Sequence, residues 1–306
     1  MDLVILDLEW NSGYSKKKQC FINEIIEFGA VKLDNDLNII GQFSIFIRPE
    51  ITKRLNRTVK ELTSLTNEDL KYGATFPYAV SKFRKFSEGC VIMTWSRSDL
   101  EALETNCEYH FGSERIPFLK QYADLQAYCQ DMLELPTKNQ IALQGAAECL
   151  GIDMDDIPLH RAVGDSILSA RCLKKLYDKE KFSEYIKPCD DEFYGRLNFR
   201  NTYITNPDNP LIDKTEFTVY CEYCGNACTP LEDWKAKNKS FTAPFECHTC
   251  NKRYKGKVQF RLSYDGISVI KKLTEIPEDD INENTEQTGV PQNLQNTVSS
   301  DLKTEA

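Results

Sequence analysis

Asp2-Leu-Val-Ile-Leu-Asp7-Leu-Glu9-Trp10 opens the chain and decides its fold class. The run up to Asp7 is short, apolar and β-prone, which predicts a buried strand. Residues two apart on a strand point to the same face, so Asp7 and Glu9 should share one face. Two carboxylates on a buried face repel each other and are costly to desolvate, and Mg²⁺ or Mn²⁺ would remove that cost. A solvent-exposed strand end with two ordinary acids is the commoner explanation of an isolated Asp-x-Glu.

The residues that follow predict two more strands, over 24–33 and 39–47, joined by a turn at Asp34-Asn35-Asp36. Such a short turn predicts an antiparallel meander. Further along, apolar spacing predicts a strand at 91–95 and helices at 76–86, 98–111, 139–150 and 165–177. Ser98 is the expected N-cap of its helix. This order predicts an α/β fold over residues 1–180, with a mixed sheet covered by helices.

Three further segments are expected after residue 180. Residues 181–216 are polar, with several prolines and asparagines, and predict a linker or extended arm. Residues 217–272 form a compact cysteine-rich unit with ten bases and five acids. Residues 273–306 lack periodicity and aromatic side chains and predict a disordered acidic tail.

Composition excludes several classes of protein. The 306 residues are 41% hydrophobic and 28% charged, as in a globular protein. Apolar runs are only a few residues long, whereas a membrane-spanning helix needs about 20, so an integral membrane protein is excluded. The net charge of −9 argues against an indiscriminate nucleic-acid coat protein. The first ten residues lack the basic start of a signal peptide, so we expect a cytoplasmic protein with reduced thiols.

Two further segments place acids at predicted helix starts. Asp99 follows Thr94-Trp-Ser-Arg-Ser, where an acid can simply cap the helix. Leu159-His160-Arg-Ala-Val-Gly-Asp165 places one of three histidines five residues before an acid. Five residues turn about 500° on an ideal helix, so His160 should lie in the loop before the helix. A capping Asp beside a surface His explains this segment equally well.

Together the three segments resemble the DEDD exonucleases, the DnaQ-like or RNase T-like superfamily, and His160 before Asp165 resembles the His-type branch. Asn23-Glu-Ile-Ile-Glu-Phe-Gly-Ala-Val-Lys-Leu33 is similar to the family's second strand, and Leu62-Thr-Ser-Leu-Thr66 to its turn near the 3′ nucleotide. Trp95-Ser-Arg-Ser-Asp99 looks closer to the KapD-like and 3′ exoribonuclease subgroup than to DNA proofreading subunits. The resemblance covers residues 1–180 and implies an RNase H-like sheet flanked by helices.

The resemblance implies a metal-dependent 3′→5′ exonuclease. Such an enzyme would hydrolyse single-stranded nucleic acid, RNA in preference to DNA, and release nucleoside 5′-monophosphates. Two Mg²⁺ or Mn²⁺ ions would stabilise the attacking and leaving oxygens, and the expected ligands are Asp7, Glu9, Asp99 and Asp165. His160 would be the general base, since imidazole exchanges protons near neutral pH. By family position the 3′ nucleotide would contact Trp10, Thr63 and Leu65, although a core position explains Trp10 equally well.

Cys221-Glu-Tyr-Cys224 and Cys247-His-Thr-Cys250 form two C-x-x-C pairs separated by 22 residues. This pattern is typical of a zinc ribbon, because each turn places two sulfurs on one edge of a tetrahedron. One structural Zn²⁺ is therefore predicted. Cys228 or His248 could replace a ligand, and a redox dithiol is the weaker alternative.

A basic strand follows the second cysteine pair, and its bases are interleaved with aromatic residues. This pattern suits a nucleic-acid surface, although a solvated hairpin face explains it equally well. The bases concerned are Lys252, Arg253, Lys255 and Lys257.

Two other functions remain open at the level of sequence. One is a non-cleaving module that binds nucleic acid or a partner on an exonuclease fold, against which the presence of all five catalytic-type residues counts. The other is a metal-dependent phosphoesterase for small nucleotides, which would not need a basic ribbon.

Overall fold

A computed structural model describes residues 2–136 and 140–277. The chain divides into two compact units between Asn198 and Phe199. Each unit has a sheet and a buried core of its own. Within the described part of the chain, no helix has the length and apolar character needed to cross a bilayer.

The first unit is built on a six-stranded mixed sheet in the order β3-β2-β1-β4-β5-β6. Its strands are β1 (Leu3–Ser15), β2 (Cys20–Leu33), β3 (Ile39–Phe46), β4 (Val91–Thr94), β5 (Gln121–Asp124) and β6 (Lys187–Pro188). β1, β2 and β3 form the predicted antiparallel meander, and β4 and β5 run parallel to β1. The mixed sheet is confirmed. β1 and β2 are longer than predicted, because their pairing continues through polar residues up to the Ser15–Cys20 pair.

Helices cover both faces of this sheet. They are α1 (Arg57–Thr63), α2 (Asn67–Lys71), α3 (Phe76–Phe86), α4 (Arg97–Phe111), α5 (Leu125–Met132), α6 (Leu143–Cys149), α7 (Ala162–Leu176), α8 (Lys179–Tyr185) and α9 (Asp191–Asn198). The predicted N-cap of α4 is wrong: Ser96, which has extended backbone, is the N-cap and accepts from the backbone N–H of Ser98. The helix predicted from Asn139 begins at Leu143, and Asn139 itself lies outside the described residues.

Alternation along β1 sends its side chains into two different cores. Leu6 packs in the cluster that includes the buried faces of α3 and α4. Leu3 and Ile5 pack in the cluster that includes the buried faces of α5, α6 and α7. Asp7 and Glu9 continue the face of Leu3 and Ile5, so they point toward the layer that contains α7.

The segment 181–216 is not an extended arm, so that prediction is wrong. It contains the end of α8, β6, all of α9, a short strand β7 (Thr202–Ile204) and a 3₁₀ turn (Lys214–Phe217). Tyr194 and Leu197 of α9 are buried in the core of the first unit, with Phe193 packed beside them. Prolines and asparagines suggested a linker, but these apolar residues, one turn apart, provide the buried face of a helix.

The second unit contains a sheet in the order β12-β11-β10-β8, with β7 paired to β11 and β9 to β10. Its further strands are β8 (Thr229–Pro230), β9 (Lys235–Lys237), β10 (Ser240–Cys247), β11 (Lys252–Ser263) and β12 (Gly266–Ile276). The strand β12 continues past residue 272, so the predicted tail does not begin at 273. Residues 278–306, the rest of the predicted tail, lie outside the described residues.

Candidate active site and metal centre

The carboxylates of β1 lie beside a β-bulge. Asp7 is paired with Gly29 and Glu9 with Glu27, and the register shifts between Glu9 and Trp10. A bulge bends a strand and changes the direction of the side chains next to it. The extra residue of this bulge, Ile26, lies on β2, and Asp7 and Glu9 lie beside it in the middle of β1.

Asp99 is directed from α4 toward this acidic part of β1. It is 5% exposed, and its Oδ1 accepts the backbone N–H of Leu8 at 3.1 Å. Because Leu8 lies between Asp7 and Glu9, this bond holds the start of α4 against the acidic strand. Burial raises the pKa of Asp99 to about 7, although the Leu8 N–H acts in the opposite direction. Asp99 thus contacts β1, whereas Ser96 caps its helix.

A close approach between β2 and α7 delivers the next carboxylate. A Cβ atom at Gly29 would lie 2.1 Å from the carbonyl carbon of Ala162 and 2.2 Å from the backbone nitrogen of Val163. Only glycine leaves room for this contact. The Ser166 hydroxyl also donates to the Gly29 carbonyl at 3.1 Å. The first turn of α7 is thereby seated on β2, and that turn carries Asp165.

Asp7, Glu9 and Asp165 form a cluster in which one carboxylate oxygen from each lies within 4.8 Å of the others. Asp99 is outside this cluster but close enough to act on Asp7. Burial, with the charge of Asp99 next in importance, raises the pKa of Asp7 well above its usual range. Burial, with the charge of Asp165 next, raises the pKa of Glu9 to about 8. Oxygen donors that repel one another in a buried place suit a hard divalent cation.

His160 lies in the turn before α7, as predicted. Its backbone has φ +58°, a left-handed conformation that is uncommon for a residue with a Cβ. Burial raises the pKa of Asp165, and His160 acts in the opposite direction, through its charge and then through its backbone N–H. The side chain is exposed, with Nε2 3.4 Å from Nε2 of Gln144. The structure thus brings His160 next to one member of the acidic cluster.

An ion pair beside the cluster was missed at the level of sequence. Arg161 donates through Nε to Oε2 of Glu27 at 3.1 Å and through Nη2 to Oε1 at 2.9 Å. Glu27 is 1% exposed and lies opposite Glu9 on β2. Arg161 is the residue after His160, so the pair ties the histidine turn to the sheet. Glu27 belongs to the second strand predicted from the sequence. Its position opposite Glu9 follows from the strand register, and its bond to Arg161 follows from the tertiary fold.

The residues predicted to contact the 3′ nucleotide are packed in the structure. Trp10 is partly buried against the first core. Thr63 and Leu65 are each 3% exposed. The Thr63 hydroxyl donates to Val59 O at 2.7 Å, and Leu65 packs in a small apolar cluster around Ile26. Their contact with substrate stays a prediction.

Four sulfurs of the second unit converge on one point. Cys221, Cys224, Cys247 and Cys250 all lie within 4.8 Å of one another. The Sγ atoms of Cys221 and Cys250 are 3.9 Å apart, and those of Cys224 and Cys247 are 3.5 Å apart. Ligands of tetrahedral zinc at about 2.3 Å would have sulfurs about 3.8 Å apart, so this cluster fits a zinc ion. The Tyr254 hydroxyl, 3.2 Å from Cys221 Sγ, contributes most to lowering the pKa of that thiol to about 6.

The two alternative ligands are not part of this cluster. Cys228 is buried nearby but is not one of the four converging residues. The side chain of His248 is 67% exposed and lies 3.8 Å from Glu246. The geometry therefore favours the set of four cysteines.

Only part of the predicted basic surface is open. Lys252 Nζ lies 2.6 Å from Glu275 and 3.6 Å from the centre of the Tyr223 ring. Arg253 is paired with Glu246. Lys255 and Lys257 are exposed. Two of the four bases are thus already compensated by carboxylates.

Comparisons with known proteins agree with this site. Residues 4–173 match the RNase_T exonuclease family. The probable 3′-5′ exonuclease KapD of Bacillus subtilis is 26% identical over 189 residues, which cover 61% of this chain and 89% of KapD. Human 3′-5′ exoribonuclease 1 is 27% identical over 171 residues, which cover 49% of this chain and 45% of that protein. This chain thus spans about half the length of the exoribonuclease.

A solved structure supports the same assignment. The nuclease domain of 3′hExo, a DEDDh family member bound to rAMP, is similar with a TM-score of 0.50 and 26% identity. The similarity covers 57% of this chain and 90% of that domain. DEDD exonucleases use divalent metals, and the acidic cluster supplies donors for them. Because the family match takes in more than half of the residues, the chain belongs to the RNase_T family of exonucleases.

Proposed function

We propose that this 3′-5′ exonuclease removes nucleoside 5′-monophosphates from the 3′ end of single-stranded nucleic acid, RNA in preference to DNA. The observation that carries the proposal is the cluster of Asp7, Glu9 and Asp165, with His160 on the turn that precedes Asp165. A non-cleaving binding module is not favoured, because it would have no use for buried carboxylates that repel one another.

The donor set suits two Mg²⁺ or Mn²⁺ ions held by Asp7, Glu9 and Asp165, with Asp99 as the fourth ligand. When bound, they would supply positive charge to both oxygens of an in-line displacement and activate the attacking water. The Leu8 N–H keeps the Asp99 carboxylate oriented toward β1.

His160 has the position and chemistry of a general base. The Gln144 side chain lies beside its ring, in the contact described above. A neutral imidazole is the form that can take a proton from water. Arg161, bonded to Glu27, restrains the turn on which this imidazole is carried.

The preference for RNA rests on the relatives. One is an exoribonuclease by name, and the similar nuclease domain was solved with rAMP, a nucleoside monophosphate. A structural Zn²⁺ in the four-cysteine cluster is part of the same proposal. A reducing compartment such as the cytoplasm fits it, because none of the twelve cysteines is in a disulfide and four must stay reduced to bind zinc.

The test is cleavage of 5′-labelled 20-nucleotide RNA and DNA with Mg²⁺ or Mn²⁺. Wild type should give a ladder that shortens from the 3′ end, faster on RNA. Asp7→Asn should abolish the ladder and His160→Ala should slow it strongly. The asparagine removes a charge from a repulsive cluster, so this variant should fold. The absence of shortening with zinc-loaded wild type would overturn the proposal, and hydrolysis of dinucleotides alone would indicate a small-nucleotide phosphoesterase.

A further inference from the structure

The outer face of the second sheet is strongly basic. Even-numbered residues of β11 from 254 to 260 are buried, so the odd-numbered ones face outward. Lys255, Lys257 and Arg261 are the exposed bases of this face. Lys272 of β12 lies directly opposite Lys257 and joins the same face. These four residues are the basic strip.

The strip contains an uncompensated repulsion. Like charges directly opposite each other on an antiparallel pair are destabilising, which is the situation of Lys257 and Lys272. Among the described residues, no carboxylate forms an ion pair with any member of the strip, whereas Lys252, Lys235 and Lys271 are each paired with a glutamate. The strip therefore has the charge arrangement of a surface that receives an anion.

The strip also has the shape of a linear anion site. Lys255 and Lys257 are about 7 Å apart along the strand, far enough for each ammonium to contact a different phosphate. Ile270, 56% exposed, lies opposite Gln259 between the lysine pair and the level of Arg261. Tyr203 is paired with Arg261 at the end of the strip. Apolar and aromatic side chains beside a row of cations suit bases that stack while the backbone is bound.

We infer that the basic strip binds the phosphodiester backbone of single-stranded nucleic acid, as a second contact outside the active site. The partner class rests on the proposed function. The strip refines the predicted surface, because Lys252 lies on the opposite face and Arg253 is paired with Glu246, whereas Arg261 and Lys272 are new members.

The experiment measures the affinity for labelled 20-nucleotide RNA and DNA at salt concentrations from about 0.05 to about 0.3 M. The full chain is used, and Asp7→Asn is introduced to prevent cleavage. The test variant is Lys255→Gln/Lys257→Gln/Lys272→Gln. The control is Lys214→Gln/Lys235→Gln/Lys271→Gln, which removes the same charge from ion-paired lysines of the same unit. Zinc content and thermal unfolding confirm that both variants are folded.

The test variant should bind about tenfold more weakly or worse, and its slope of log affinity against log salt should fall by about 2, since each single-strand phosphate contact contributes about 0.7. The control variant should retain most of the wild-type affinity and most of the wild-type salt slope. Comparing the affinities for RNA and DNA shows whether the basic strip discriminates between ribose and deoxyribose. Equal losses in the test and control variants, or no loss in either, would overturn the inference. Because binding is measured without cleavage, failure here is distinguishable from failure of the exonuclease, which the wild-type ladder tests.

Discussion

Arg161 forms a two-bond ion pair with Glu27, and Glu27 lies directly opposite Glu9 on the neighbouring strand. The pair therefore connects the histidine turn to the part of the sheet that carries Glu9. Arg161 also opposes the repulsion on Glu9, whose pKa it lowers against the larger effect of burial. The ion pair thus has two roles, in positioning His160 and in neutralising part of the charge around the metal ligands.

Arg161→Met should lower both stability and turnover. It leaves the buried Glu27 carboxylate unpaired, which should reduce the free energy of unfolding by about 2–3 kcal/mol, since the arginine is itself partly exposed. The freed histidine turn should reduce kcat about tenfold, with a smaller change in KM. Urea unfolding and steady-state kinetics on a labelled 20-nucleotide RNA measure the two effects.

Arg171→Met is the matched control, because Arg171 lies on α7, the helix that begins directly after Arg161, and its pair with Asp156 is exposed. This substitution should lower the free energy of unfolding by less than about 1 kcal/mol and leave kcat unchanged. Glu27→Gln/Arg161→Met should recover stability but not turnover, which separates the positioning role from the structural one. Equal behaviour of the two arginine variants would refute the positioning role.

Gly29→Ala should displace α7. The new Cβ would overlap the backbone at Ala162 and Val163, and backbone atoms cannot move aside as a flexible side chain can. The shift of the first turn should cost about 3 kcal/mol of stability and move Asp165 away from Asp7. Thermal unfolding and the Mg²⁺ dependence of cleavage are the measurements, and the concentration of Mg²⁺ needed for half-maximal rate should rise.

Gly41→Ala provides the control for this substitution. A Cβ at Gly41 would meet Phe86 Cε2 at 3.4 Å, which is ordinary contact with the edge of a side chain. It should change the stability by less than about 1 kcal/mol. A Gly29→Ala protein with the same stability and metal dependence as Gly41→Ala would show that the close approach is not needed.

Much of the site could be predicted because its signals are local. The strand period places Asp7 and Glu9 on one face, and His160 and Asp165 belong to one helix start. The partners of Gly29 and Glu27 are more than 130 residues away in sequence, so no local pattern reveals them. The register of β1 with β2 and the seating of α7 decide these contacts, and both are tertiary.

The regions predicted incorrectly have a different physical cause. The prolines and asparagines around α9 favoured the prediction of a linker. The helical spacing of Tyr194 and Leu197, which are buried, was the better indicator of the structure. For Lys252, sequence order suggested a shared surface with Lys255, whereas strand alternation puts the two on opposite faces.

Metal-free protein should lose stability as the pH rises. Glu9 has a pKa raised from 4.5 to about 8 in the folded state. Between these values the folded protein binds more protons than the unfolded chain, so the free energy of unfolding falls with increasing pH and levels off above about pH 8. The melting temperature of the first unit should fall by about 10 °C from pH 5 to pH 8 in buffer free of Mg²⁺.

Added Mg²⁺ should remove most of this fall, because the cation compensates the ionised carboxylates. Glu9→Gln removes the titrating carboxyl, so it should reduce the fall in stability without Mg²⁺ and weaken the response to Mg²⁺. The metal-free samples are prepared by passage over resin and not by chelator, so that zinc is retained. A wild-type profile that is flat in the absence of Mg²⁺ would contradict the electrostatic account of the cluster.

Bound zinc should be lost when any one of the four clustered cysteines is replaced, but it should be retained when Cys228 is replaced. Cys224→Ser removes a sulfur that lies 3.5 Å from that of Cys247, so bound zinc should fall from one equivalent to well below half. Since zinc contributes about 10–16 kcal/mol to the folding of comparable small modules, the second unit should unfold in this variant. Release of zinc to a chromogenic chelator and fluorescence of Trp234 report the two effects.

Cys228→Ala is the control, because Cys228 is buried beside the cluster but is not one of the converging sulfurs. It should keep one equivalent of zinc and lose about 1 kcal/mol of stability through the small cavity. Loss of zinc in Cys228→Ala with retention in Cys224→Ser would reassign the ligands. Retention of zinc in both variants would show that neither Cys224 nor Cys228 is a required ligand, and a wild type without bound zinc would show that the four sulfurs meet without holding a metal.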